Sequence, residues 1–256
     1  MNVRTVSVVF AGIILVCLAS CKQKVVSQRE QPNRIDTLQK RDYLSVVISL
    51  DTLSSGEYKK AIYREDSLLR HVTDSSALPF YHFFRGRVYS QRKLGDSALA
   101  EYRQMNGLQP DDDIELLKRY SLLDQSIRNG MTVERDLMNG ILSTMKSAEH
   151  GHSKITYQLY DLMAKAYYQN NNPNESLEYA ERYYKEHPYK SHPVVMQRHY
   201  DISFLLSSKL NDFDKMMLYN VEARNLARDI GDSLAIARTY DNEAQIFSRQ
   251  GQNENA

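Results

Sequence analysis

Beyond residue 21 the sequence has no cysteine, and nowhere in its 256 residues does it have a tryptophan. The first absence excludes a disulfide framework and any thiolate metal site from almost the whole chain. Glycine and proline are scarce, at 10 and 6 residues, too few for the many tight turns of a β-sandwich. Neither a glycine-rich phosphate loop nor a Gly-x-Ser-x-Gly elbow occurs. With no thiol left for nucleophilic work either, no enzyme and no cofactor is expected. Charge of one sign is also missing. Arg4 is the only charged residue before Lys22, and without it acids and bases balance. Such balance gives neither nucleic acid nor an anionic membrane surface an electrostatic hold.

What is present is a beat. Tyr160-Asp161, Tyr200-Asp201 and Tyr240-Asp241 recur 40 residues apart, and Tyr120 falls one beat earlier without its aspartate. A fixed period of a few tens of residues marks an array of stacked structural repeats. The composition, 42% apolar and 25% charged with 18 tyrosines, supplies a core and fits repeated helix pairs.

The two cysteines belong to the N-terminus. Val8 to Leu18 is an apolar run of about 11 residues, far short of the ~20 that a membrane-crossing helix needs. With Arg4 before it, the run reads as the core of a signal peptide. It ends in Leu18-Ala19-Ser20-Cys21, which resembles the lipobox of bacterial lipoproteins. That resemblance implies that Cys21 is lipidated on its thiol and becomes the first mature residue, and that Cys17 leaves with the signal. Lys22-Gln23-Lys24 follows, with no aspartate after Cys21. In lipoproteins of the Gram-negative type this implies an anchor in the outer membrane facing the periplasm, with the inner membrane as the alternative address. Contact with the membrane is then through the lipid only. Residues 21–35, with Gln31-Pro32-Asn33, read as a flexible tether.

Helical periodicity begins at Asp36. Leu38, Tyr43, Leu44, Val47 and Ile48 recur at three- and four-residue steps, and Ser54-Ser55-Gly56 interrupts them. Tyr58, Ala61, Ile62, Leu68 and Leu69 mark a second helix, closed by Thr73-Asp74-Ser75-Ser76, where a serine can cap the next. In residues 78–110, Gly86 and Tyr89 lie on a first helix and Gly95-Asp96 makes a turn. Ala98, Tyr102 and Met105 lie on a second helix, and Pro110 ends it. Small residues belong where two backbones approach, and the large rings fill the gaps beside them.

This pattern resembles a tetratricopeptide repeat. It returns at Ala164, Tyr167, Ala180, Tyr183 and Pro188, again at residues 211–216 with Tyr219 and Ala223, and again at Tyr240, Ala244, Phe247 and Gly251. The beat is longer than that family's usual one and fits its longer-helix signalling versions. Residues 111–150 match poorly, with Asp124 in the small slot and Gly140 inside a helix. Gly251 to Ala256 reproduces the spacing of Gly56 to Ala61, where a further helix follows, so the last repeat is expected to be incomplete.

The family resemblance implies that first helices line a concave groove and that the residue after the beat tyrosine looks into it. Asp161, Asp201 and Asp241 would then form a ladder able to take a basic peptide or a peptide amide, with Gln158, Lys165, Gln169, Arg238, Gln245 and Arg249 alongside. A local alternative exists, because Asp161 stands four residues before Lys165, a favourable helical pair. Phe80, Tyr81, Phe83 and Phe84 cannot all face one way at about 100° per residue. Phe80 and Phe83 fall on the groove side, with core packing as the alternative. His150-Gly151-His152 lacks a third ligand. Asp111-Asp112-Asp113 lacks the spaced oxygens of a calcium loop and suits the positive end of a helix dipole. No metal is expected.

The expected protein is therefore all-α, an α-solenoid of about five and a half antiparallel helical hairpins over residues 36–256, behind a signal peptide at 1–20. Its expected role is a non-catalytic lipoprotein scaffold that holds a protein or peptide partner, with no nucleic acid. The alternative is the N-terminal sensory part of a longer membrane-bound signalling or transcriptional regulator. A glycan-binding lipoprotein, which would lean on exposed tryptophan, is disfavoured.

Overall fold

Every regular element among the described residues of the computed structural model is helical. Those residues are 41–106, 112–130 and 135–251, without the side chains of 135–137. The signal peptide, Cys21, the tether, Leu38, Pro110, Asp111 and residues 252–256 lie outside them. The helices run α1 (Tyr43–Ser49), α2 (Ser55–Leu69), α3 (Leu78–Gln91), α4 (Gly95–Arg103), α5 (Asp113–Arg128), α6 (Arg135–His150), α7 (Thr156–Gln169), α8 (Pro173–Glu186), α9 (Pro193–Leu210), α10 (Phe213–Asp229) and α11 (Ser233–Arg249). Short 3₁₀ turns at Leu50–Thr52 and Ser75–Ala77 follow α1 and precede α3. No described helix is long and apolar enough to cross a membrane.

Local chemistry sets the boundaries. Asp42, Asp112, Asp212 and Asp232 each accept a backbone N–H in the first turn of α1, α5, α10 and α11, replacing a bond that the helix start cannot make internally. Ser54 and Glu57 form a capping box on α2, so the Ser54-Ser55-Gly56 interruption is a helix start. Asp74, rather than one of the neighbouring serines, caps the Ser75–Ala77 turn.

Five of the turns between helices repeat one geometry. Lys93, His152, Asn171, Asn211 and Gly231 take positive φ. The N–H of the next residue then reaches back five positions, as in Leu94 to Tyr89 O, Asn172 to Tyr167 O and Asp212 to Ser207 O. This left-handed cap satisfies carbonyls that the ending helix leaves unpaired. It also corrects the expectation for Gly95, which is the first residue of α4 and not the left-handed turn position. A Cβ there would collide with the Asn129 side chain, so the glycine serves close approach.

Each helix from α2 onward packs on its sequence neighbour, and α3, α5 and α7 also meet side by side. The expected close approach at Gly86 is present: a Cβ would overlap the ring of Tyr102, which is wholly buried. A continuous core runs from Tyr43 and Ile62 through Phe83, Phe84, Tyr102 and Leu117 to Leu159 and Met163. Phe80 and Phe83 belong to it. Tyr43 stacks on Phe80 at 5.5 Å, and Phe83 meets Phe84 edge-on. Their expected place in a groove is thus corrected, because burying an aromatic ring against other rings gains more than exposing it to solvent. A second, smaller cluster joins Ala164, Leu177, Ala180 and Leu206.

The beat tyrosines Tyr120, Tyr160, Tyr200 and Tyr240 lie on α5, α7, α9 and α11. The 3₁₀ turn at Leu50–Thr52 packs on α9, so the start of the described chain returns to its later helices.

Candidate functional site: a charged interior and three cavities

Asp124 explains why residues 111–150 fit the repeat pattern poorly. It is buried on α5, where a small residue would let two helices close, and it has three cationic partners. Arg87 of α3 donates from Nη1 at 3.0 Å, Arg128 of α5 from Nε at 2.8 Å, and Lys165 of α7 from Nζ at 3.2 Å. Lys165 also pairs with Asp161 at 2.6 Å. The side-by-side packing of α3, α5 and α7 is what brings these groups together.

Burial by itself would raise the Asp124 carboxyl. The charges of Lys165, Arg87 and Arg128 outweigh it and hold the group well below the usual carboxylate range. Burial likewise works to discharge Lys165, and Asp124 and Asp161 more than restore its charge. The Tyr120 hydroxyl is pushed up to about 12, by burial first and then by Asp124. Asp124 and its three cations are therefore charged at neutral pH, while the Tyr120 hydroxyl keeps its proton.

Beside it sits Asp51, from the 3₁₀ turn at Leu50–Thr52. Tyr157 donates its hydroxyl to Asp51 at 3.1 Å, His187 Nε2 lies 3.5 Å away, and Arg198 Nη1 lies 3.7 Å away. The Tyr189 backbone N–H donates to His187 Nδ1 at 3.0 Å. Nδ1 is thus the acceptor, and the hydrogen of the neutral ring sits on Nε2, facing Asp51. Sequence reasoning missed Asp51. A lone aspartate in a turn carries no local signal of partners 106 or more residues further on.

Of the cavities among these helices, three hold expected groove residues. The first, of about 260 Å³, is mainly apolar, walled by Ile127, Ala164, Ala180, Leu205 and Leu206, with Asp161, Lys165 and Gln169 at its edge. The second, of about 380 Å³, is more polar, walled by Arg87, Arg128, Gln158, Lys165 and Arg198, with Asp51 and Asp161 among them. The third, of about 410 Å³, lies between α9 and α11 and is lined by Gln197, Asp201, Arg238, Asp241, Asn242 and Gln245. No protein-family model matches the chain, and no curated protein matches it.

The expected groove residues therefore divide. Gln158, Asp161, Lys165 and Gln169 of α7 line the first two cavities, and Asp201, Arg238, Asp241 and Gln245 line the third. Asp161 and the other two aspartates do not share a cavity, so the structure shows no single ladder of three. Asp161 is held by Lys165, the local alternative. Asp201 accepts from Gln197 Nε2 at 2.8 Å. Its carboxyl is pushed up by desolvation, although its outer edge is open to solvent. Arg249 lines none of the three cavities. Its guanidinium donates to Ser208 and Asn211 at the end of α9 and lies over the Phe213 ring, which pins α11 to the α9–α10 turn. Among the described residues no three His, Cys, Asp or Glu side chains gather closely enough to hold a metal.

Proposed function

We propose that the chain is a non-catalytic scaffold whose helix pairs stack as a tetratricopeptide-like solenoid, with a protein or peptide held along the concave inner surface. Three features support the stacked reading: one turn geometry shared by five of the connections between helices, the lateral contact of α3, α5 and α7, and the landing of the 40-residue beat on alternate helices. Together they fit the one-dimensional build of repeat proteins, in which each unit buries its apolar side on the next. The N-terminal signature, read as a lipobox, would tether this scaffold through Cys21 to the outer membrane, facing the periplasm.

The observation that carries the binding role is the cavity between α9 and α11. Its amides Gln197, Asn242 and Gln245, its carboxylates Asp201 and Asp241, and Arg238 present donors and acceptors side by side. An extended peptide backbone offers the complementary set, so pairing along the surface would hold it without any chemical step. The test is a triple variant, Asp201→Ala, Asp241→Ala and Gln245→Ala. Helical content should be unchanged, while crosslinking to the partner captured by the unaltered protein should fall at least tenfold. Undiminished crosslinking would move the binding surface elsewhere.

A further inference from the structure

The apolar and the polar cavity adjoin. Both are lined by Asp161, Lys165, Tyr183 and Ile202, so a hydrocarbon slot opens beside a cationic wall. The ionised groups around the polar cavity are Arg87, Arg128, Lys165 and Arg198 against Asp51, Asp124 and Asp161. One positive charge is unmatched in this set. One side chain lining the cavity, Arg87, is more than nine-tenths buried and keeps a donor, Nε, without a hydrogen-bond partner among the described residues. A buried polar atom left unpaired costs about 1–3 kcal/mol, and a ligand that pairs it recovers that cost. The wall already suits carboxylates, since the chain places its own Asp51 there beside Arg198.

We infer that the two adjoining cavities bind a small amphipathic monocarboxylate, with its head on the wall formed by Arg87, Arg128 and Arg198 and its aliphatic or aryl-alkyl chain in the slot between Ala164, Ala180, Leu205 and Leu206. A single carboxylate balances the single excess charge. A cationic head is repelled by the same wall, and a neutral one leaves the charge unanswered. The combination of an apolar pocket with a few convergent polar groups is the usual form of a small-ligand site. The assignment does not rest on the scaffold reading, which uses the cavity between α9 and α11.

The experiment is calorimetric titration of the full chain with octanoate, octan-1-ol and octylamine. A leucine-terminated hydrophobic peptide is run alongside, with a free and with an amidated C-terminus. Octanoate should bind saturably with one site per chain, octan-1-ol at least tenfold more weakly, and octylamine not at all. Arg198→Gln removes a head contact and Leu205→Glu places a charge in the slot. Both side chains reach solvent, so both variants should keep their helical content, and each should weaken octanoate at least tenfold. Absence of saturable octanoate binding, equal binding of octylamine, or unchanged affinity in both variants overturns the assignment. So does binding of the free-carboxyl peptide with none of octanoate, which would show that the wall takes chain ends and leave the scaffold reading standing.

Discussion

Tyr160 and Tyr240 hold the same place in the 40-residue beat, yet one is 5% exposed and the other 51%. Both rings carry an arginine at 4.3 Å, Arg182 in one case and Arg224 in the other. Each hydroxyl also accepts from an arginine, Arg182 or Arg228. What differs is the company. Tyr160 has Glu149 of α6 on one side and Tyr179 of α8 on the other, while Tyr240 lies on the last described helix, where its ring and hydroxyl contacts come from α10. The same contrast separates α2–α8 from α9–α11. The earlier helices share one continuous core with a charged centre. The later ones bury scattered side chains such as Val195, Met216, Leu226 and Ile246 beside alanines, and leave Leu205, Leu218, Val221 and Leu234 exposed. A periodic sequence fixes where a residue stands on its helix, and the number of neighbouring helices then decides how deeply it is buried.

The contrast is testable, and the largest effect should come from Asp124. Asp124→Ala strands Arg87, Arg128 and Lys165 without their shared anion and should cost about 3–5 kcal/mol in denaturant unfolding. Asp241→Ala, on exposed α11, should stay within about 0.5 kcal/mol. Near-equal losses would erase the distinction between the regions.

Next in size is acid. His199 of α9 stacks on Tyr184 at 4.0 Å, and its buried imidazole is lowered by desolvation to about 4. The unfolded chain, with an ordinary histidine near 6.5, takes up a proton that the folded chain refuses. Stability is therefore complete above about pH 6.5 and declines as pH falls toward 4, by about 2–3 kcal/mol for this group. His199→Phe should remove one proton's worth of that slope. Asp124, held below the carboxylate range, should respond only at lower pH. Hydrogen exchange during acidification should show α9 and α10 opening before α3 and α5, and simultaneous opening would sink the ordering.

Two glycines give the smallest and sharpest test. Gly86→Ala drives a Cβ into the Tyr102 ring and should cost about 1–3 kcal/mol. Gly140, inside α6, has only Leu123 nearby, at 3.7 Å. Gly140→Ala should stabilise by about 0.5–1 kcal/mol through helix propensity. Thermal melts of both variants read the difference in sign.

Much of the helical layout was legible because its signals are local. Asp112 sits at a helix start as its position after Pro110 implied, and Gly86 marks a close approach within its own hairpin. Gln158, Asp161, Lys165 and Gln169 of α7 line adjoining cavities, since helical spacing alone decides which side chains share a side. Phe80 and Phe83 were misplaced because a helix covered on more than one side has no single apolar stripe to read. Gly95 was misread because close approach to Asn129 leaves no mark in its own turn. Asp124 looked like a defect in the repeat, since Arg87 and Lys165 lie 37 and 41 residues away and nothing local announces them.

The tie from Asp51 to Tyr157 and Arg198 also bears on how the chain comes together. Hairpins stacked in a row can form in any sequence order, each on the last. A bond across 106 residues has to wait until α7 is in place, and its Arg198 arm until α9 is. Bringing such distant points together carries a loop-closure cost that local hairpins avoid. The Leu50–Thr52 turn is thus a buckle on helices made after it: it ties the start of α2 to α7 and α9, while α10 and α11 lie beyond that tie.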